Sequence, residues 1–190
     1  MKKLLMFAML LMLVFAAACS QESEDSASED KNTETKDSEE SKGSEEADLK
    51  TELLNFQAEV VDVLQENNKP FGEFVDAKAT YNDPEAEAAD KPSKEELTSL
   101  MEAAKAAGPK AAEAIRAIEV PAELDKYKED IEAALEDAAK SYEVRAENVT
   151  IEADEEAQKE ADELFAGFEE KFGAVFEELG LTAPSFSAEL

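Results

Sequence analysis

The chain has 190 residues, 48 of them acidic and 19 basic, for a net charge of −29 at neutral pH. That balance excludes sequence-independent nucleic-acid binding, which needs Lys and Arg to neutralise phosphates. With no histidine, no tryptophan and a single cysteine, the chain lacks the commonest general base and the usual zinc ligands. We therefore expect no cofactor, no metal site and no enzymatic activity.

In chain order, the first element is an export signal. Lys2 and Lys3 precede an unbroken apolar run from Leu4 to Ala18. A basic start, a short apolar stretch and the small residues Ala16, Ala17 and Ala18 describe a secretory signal peptide over residues 1–18. The run falls short of the roughly 20 residues that span a bilayer, and acidic rather than basic residues follow it. Cys19 comes directly after the small residues. The stretch from Val14 to Ser20 resembles the lipobox of bacterial lipoproteins, departing from the common pattern at Ala16, where leucine is usual. The resemblance covers the first 20 residues. It implies that the Cys19 thiol takes a diacylglyceryl group and that the signal is then removed. A lone thiol has no partner for an internal disulfide. Two acyl chains hold a protein to a bilayer where one barely does, at about 0.8 kcal/mol per buried methylene. The expected location is the extracellular face of the cell membrane, lipid-anchored, in a bacterium of Gram-positive type. The membrane is then a partner through the lipid on Cys19, with envelope proteins or wall polymers as further partners.

Residues 19–48 read as a lipidated cysteine followed by a disordered acidic linker. Between Ser20 and Asp48 there are 12 acids, three lysines and almost no large apolar side chain. Such a segment buries too little to offset the entropy of ordering. Stretched out, it would lift the remainder of the chain by roughly 100 Å.

From Leu49 apolar residues recur at three and four, the period of an amphipathic helix. The first helix should start at Asp48 as its cap. Its seam is Leu53, Phe56, Val60, Val63 and Leu64, and it should kink or restart at Pro70, which lacks a donor and crowds the preceding turn. Phe71, Phe74 and Val75 carry the face on to about Ala79. Tyr81 to Pro92 reads as a loop. The second helix opens on a capping box, Ser93 to Glu96. Its seam runs Leu97, Met101, Ala104, Gly108, Ala111, Ile115 and Ile118, with a kink expected at Gly108-Pro109. Pro121 suits the first turn of the third helix, which shows Leu124, Tyr127, Ile131, Ala134, Leu135, Ala138 and Tyr142. A turn at Asn148 to Thr150 leads to a fourth helix from about Glu152 to Leu179. Its seam is Ala157, Ala161, Leu164, Phe168, Val175 and Leu179, widened by Phe165, Phe172 and Phe176. Gly180 is placed to end it in a left-handed cap, with Leu181 covering the last turn. Residues 49–182 thus predict an all-α domain, an antiparallel four-helix bundle with kinked first and second helices. Residues 183–190 read as a loose tail.

Three features bear on chemistry. Glu152, Glu155, Glu156, Glu160 and Glu163 crowd one side of the fourth helix. They lack the acid and glycine pattern of a calcium loop and read as a solvated face. The phenylalanines of the first and fourth helices read chiefly as core packed against alanines, large against small. If Pro70 and Pro109 splay their helices, however, a cleft opens. Its candidate lining is Phe71, Phe74, Met101, Phe168 and Phe172, with the hydroxyls of Tyr127 and Tyr142 at its edge, and it would accept an apolar or amphipathic ligand. Arg116 and Arg145 are the two arginines. Arg145 falls near the apolar face of the third helix and is expected to snorkel and pair with one of the many acids.

These features support two functions. The first is a non-enzymatic surface lipoprotein that works through protein or wall contacts. The alternative is a small-molecule binding lipoprotein with a pocket between kinked helices.

Overall fold

Local signals place most of the helix ends. In the computed structural model, which describes residues 37–152 and 155–190, α1 is Asp37–Asn82, α2 is Lys94–Arg116, α3 is Lys128–Asn148 and α4 is Glu155–Glu178. A 3-10 helix, Ala122–Tyr127, leads into α3, and a second, Phe186–Ala188, comes after α4. The signal peptide, Cys19 and linker residues 20–36 lie outside the described residues. Among those described, no helix is long and apolar enough to cross a membrane.

The capping box forms as the sequence reads. The Glu96 amide donates to Ser93 Oγ at 3.2 Å, and the Ser93 amide donates to Glu96 Oε2 at 2.8 Å. At the other end of the domain Gly180 has φ +69°. The Leu181 amide bonds the Phe176 carbonyl at 2.8 Å and the Gly180 amide bonds that of Glu177 at 2.9 Å. That crossed pair satisfies carbonyls which the last turn of α4 would leave open. Neither proline ends its helix: α1 runs through Pro70 and α2 through Pro109.

Cross-helix contacts give the directions. Lys126 meets Glu178, Asp137 meets Lys171, and Ser141 meets Ala161. Numbers rise along α3 as they fall along α4, so the two are antiparallel. Gly108 lies against Ala146 while Arg116 reaches Glu136, so α2 also opposes α3. Leu64, Asn68 and Lys78 of α1 meet Tyr142, Arg145 and Thr150 in order, so α1 runs parallel to α3. This is the up-down bundle that short connections favour.

Large side chains fill the space between α1 and α4. Phe56 stacks on Phe172 with centroids 6.0 Å apart, and Phe165, Phe168, Phe172 and Phe176 form a chain of ring contacts down α4. The buried positions of α2 and α3 are mostly small, among them Ala104, Ala111, Ala134, Ala138 and Ala146. Ser141, fully buried, donates to the Ala161 carbonyl at 2.8 Å and so is satisfied without water.

Two segments differ from the sequence reading. The first helix starts at Asp37, not Asp48, so residues 37–48 are helical rather than part of a disordered linker. Glu45 to Asp48 are exposed, and Leu49 packs against the core. Extending a helix already held by its packed part adds one hydrogen bond per residue fixed, whereas a new nucleus is costly. Glu and Ala resist that extension little. These twelve residues span about 18 Å as helix instead of about 40 Å extended. The second difference is the tail. Residues 183–190 are not loose: Phe186 is buried, with its ring centroid 4.6 Å from Phe168 and 5.1 Å from Phe172. The tail holds one large aromatic among small and polar residues, and hydrophobic burial of that ring outweighs the freedom of a short segment.

Candidate functional site

A groove of about 560 Å³ opens beside Pro70, where α1, the end of α3 and the start of α4 meet residue 190. Its apolar lining is Phe71, Phe74, Val75, Val149 and Leu190. Seven polar residues complete it: Asn68, Thr150 and Gln158, with the charges Asp76, Lys78, Arg145 and Asp162. An apolar wall faced by polar and charged groups suits an amphipathic molecule.

Sequence places these groups by simple rules. Phe71 and Phe74 sit three apart and fall on one face of α1; both are buried. Val75, one residue on, rotates outward to the rim and is 59% exposed. The Lys78 ammonium donates to the carbonyls of Thr150 at 2.8 Å and Glu152 at 3.1 Å. A cation there complements the open carbonyls beyond the last turn of α3. Gln158 Nε2 donates to the Asn148 carbonyl at 3.1 Å, tying the start of α4 to the same end. The tail closes the far wall. Gln65 Nε2 donates to the Glu189 carbonyl at 2.9 Å, and the Ser187 amide donates to Glu169 Oε1 at 2.8 Å.

Arg145 is held between two aromatic rings. Its guanidinium carbon lies 5.9 Å from the Phe71 ring centroid and 5.4 Å from that of Tyr142, within cation-π range. Nη1 donates to Asn68 Oδ1 in a long contact of 3.4 Å. Among the described residues no carboxylate oxygen comes within 4.0 Å of it, so the expected pairing with an acid is not found among them. The reason is position: Arg145 points among rings, while the acids crowd the outer faces. Arg116 shows the contrast. It bonds Glu136 at 2.8 Å and Glu143 at 2.7 Å, and holds both carboxyls below their ordinary range.

Tyr142 underlies the groove. Its ring meets Phe71 edge-on at 5.6 Å, and its hydroxyl lies 3.5 Å from both the Leu64 carbonyl and Asn68 Oδ1. Burial pushes its phenol up to about 12, although Arg145 pulls the other way.

Of the seven candidate pocket residues, Phe71 and Phe74 line the groove and Tyr142 supports it. The others lie elsewhere. Phe168 and Phe172 are fully enclosed in the core, where Phe186 covers them. Met101 is partly buried on α2. Tyr127, buried just before α3, has the Lys126 ammonium 4.6 Å over its ring. Fifteen residues separate Tyr127 from Tyr142, about 22 Å of helix, too far to edge one small cavity. A second hollow of about 300 Å³ does border Pro109, but Lys105, Glu143, Ala146 and Glu147 line the rest of it. The sequence reading also missed Val149, Gln158 and Leu190. Only Leu190 carried a signal, as the second large apolar residue of the tail after Phe186.

Among the described residues no group of three acids is placed to hold a metal ion. Glu152, Glu156, Glu160 and Glu163 are exposed, and the nearest cation to Glu163 is Lys159 at 3.6 Å. In comparison with known proteins, the chain matches no family model, no curated protein and no solved structure.

Proposed function

We propose that this chain is a bacterial lipoprotein, fixed by an acylated Cys19 to the extracellular face of the membrane, that binds a small amphipathic molecule and performs no chemistry on it. The observation that carries the binding reading is the groove beside Pro70: about 560 Å³, walled by Phe71, Phe74, Val149 and Leu190, with a cation at one side. Cys19, after a basic and then apolar start, supports the anchor. The acidic stretch and the projecting start of α1 would hold the bundle off an anionic surface by like-charge repulsion.

Function through protein or wall contacts has less support. That reading wants a contiguous exposed apolar patch. On α1, the exposed large residues Leu54 and Val75 are about 32 Å apart along the helix. Val75 belongs to the rim of the groove instead.

Two measurements test the proposal. Cys19→Ala should move the protein from the membrane fraction to the medium, and equal retention would remove the anchor. Substituting Phe74→Glu should place a carboxylate in the groove and abolish uptake of a hydrophobic dye such as 1-anilinonaphthalene-8-sulfonate. Undiminished uptake by a folded variant would remove the groove.

A further inference from the structure

We propose that the molecule taken by this groove is an amphipathic monocarboxylate, its acid group held by Arg145 and its apolar body laid against Phe71, Phe74 and Val149. The inference rests on the binding reading above and adds the ligand's charge and shape.

The domain carries two guanidinium groups in opposite states. Arg116 is saturated, with four nitrogen-oxygen contacts of 2.7 to 3.2 Å to two carboxylates. Arg145 makes one contact, at 3.4 Å, to a neutral amide oxygen. A guanidinium has five donors in a planar fork that matches a carboxylate. Among the described residues Arg145 therefore keeps most of its donors free for a ligand, while sitting at the wall of an apolar groove. The rings of Phe71 and Tyr142 supply a holding surface that uses none of its N–H donors. Position adds to this. Arg145, Asp162 and Leu190 line both the main groove and an adjoining hollow of about 310 Å³, so the guanidinium stands where the two meet. The other cation of the groove, Lys78, is already engaged by two backbone carbonyls.

Charge selects a monoanion. Asp76 and Asp162 line the same groove, so a dianion such as a phosphate monoester would face two carboxylates with one available cation. The rest of the acidic surface matters less, since charges beyond about 8 Å are largely screened at physiological salt.

The test compares 4-phenylbutyrate with 4-phenylbutan-1-ol, which have the same apolar body. Equilibrium dialysis against the full chain in phosphatidylcholine nanodiscs, with empty discs subtracted, gives both affinities. The acid should bind about tenfold more tightly than the alcohol, the effect of one charge-assisted hydrogen-bonded contact. Arg145→Gln should lower the acid's affinity more than the alcohol's and bring their ratio close to one, and continued binding of the alcohol reports that the groove is intact. Asp162→Asn should raise the acid's affinity about threefold and leave the alcohol's unchanged, the size of one partly screened charge. Equal binding of acid and alcohol by the natural protein would overturn the monocarboxylate inference and leave the groove standing. Binding of neither would remove the groove reading together with it.

Discussion

Phe186 lies with its ring 4.6 Å from that of Phe168, fully inside the bundle, although it belongs to the last few residues of the chain. The contact turns the tail into a strap across α4 and brings Leu190 to the wall of the groove. Removing the ring leaves a cavity bordered by Phe168 and Phe172. Phe186→Ala should cost about 3–4 kcal/mol, the range for buried phenylalanine truncation. Urea unfolding followed by circular dichroism measures it. A loss under about 1 kcal/mol would mean that the tail contributes little to the core.

Gly108 sets how closely α2 approaches α3. A Cβ added there would run into the Ala146 methyl and lie 2.8 Å from the Tyr142 carbonyl oxygen. Helix propensity alone favours alanine over glycine by about 1 kcal/mol. Crowding against backbone opposes it, since overpacking costs about 1–3 kcal/mol or more. The backbone term should win, so Gly108→Ala should lower stability by about 1–2 kcal/mol. Stabilisation in thermal melts would show that the two helices separate easily.

Arg116 predicts a response to acid. Hydrogen bonds from Arg116 hold the Glu136 and Glu143 carboxyls below the ordinary 4.5. Folded pKa values below the unfolded ones contribute stability that is complete above about 4.5 and lost as pH falls through the lowered values. The groups are about 40% exposed, so solvent screening holds the total to about 1 kcal/mol. Arg116→Gln should therefore lose about that much at pH 7 and less at an acid pH well below 4.5. Paired urea titrations at the two values check it, and an equal gap at both would exclude the ion pairs as the cause.

Tyr142 predicts the alkaline limb. Burial raises its phenol to about 12 from 10.0. The folded state keeps the proton that the unfolded state releases, so stability should fall as pH rises from about 10 to about 12. The full loss is on the order of 2 kcal/mol. Tyr142→Phe removes that slope. At neutral pH it should cost under about 1 kcal/mol, because both hydroxyl contacts are long at 3.5 Å. A slope that survives in the variant would assign the alkaline loss to other groups.

The helical class and much of the layout were readable from local residue patterns. Ser93 with Glu96, Gly180 with Leu181, and the inward positions from Leu53 to Phe176 are legible because helix caps and helix faces depend on neighbours three or four residues apart. The start of α1 was not legible. Asp37 to Asp48 carry no apolar periodicity to announce a helix, and they become helical by continuing one that Leu49 and later residues hold in place.

Packing between distant segments settled where Phe186 goes, which aromatic residues line a groove and which fill the core, and that Arg145 stands among rings with no acid of the described residues beside it. Each of these depends on contacts between residues some twenty to nearly eighty positions apart, and no local pattern encodes them. Composition misled at Arg145 for a physical reason. An excess of acids favours a partner for an arginine on the outer face of a helix, and less so for one turned toward Phe71 and Tyr142, whose rings hold the guanidinium apart from the carboxylates of the same groove.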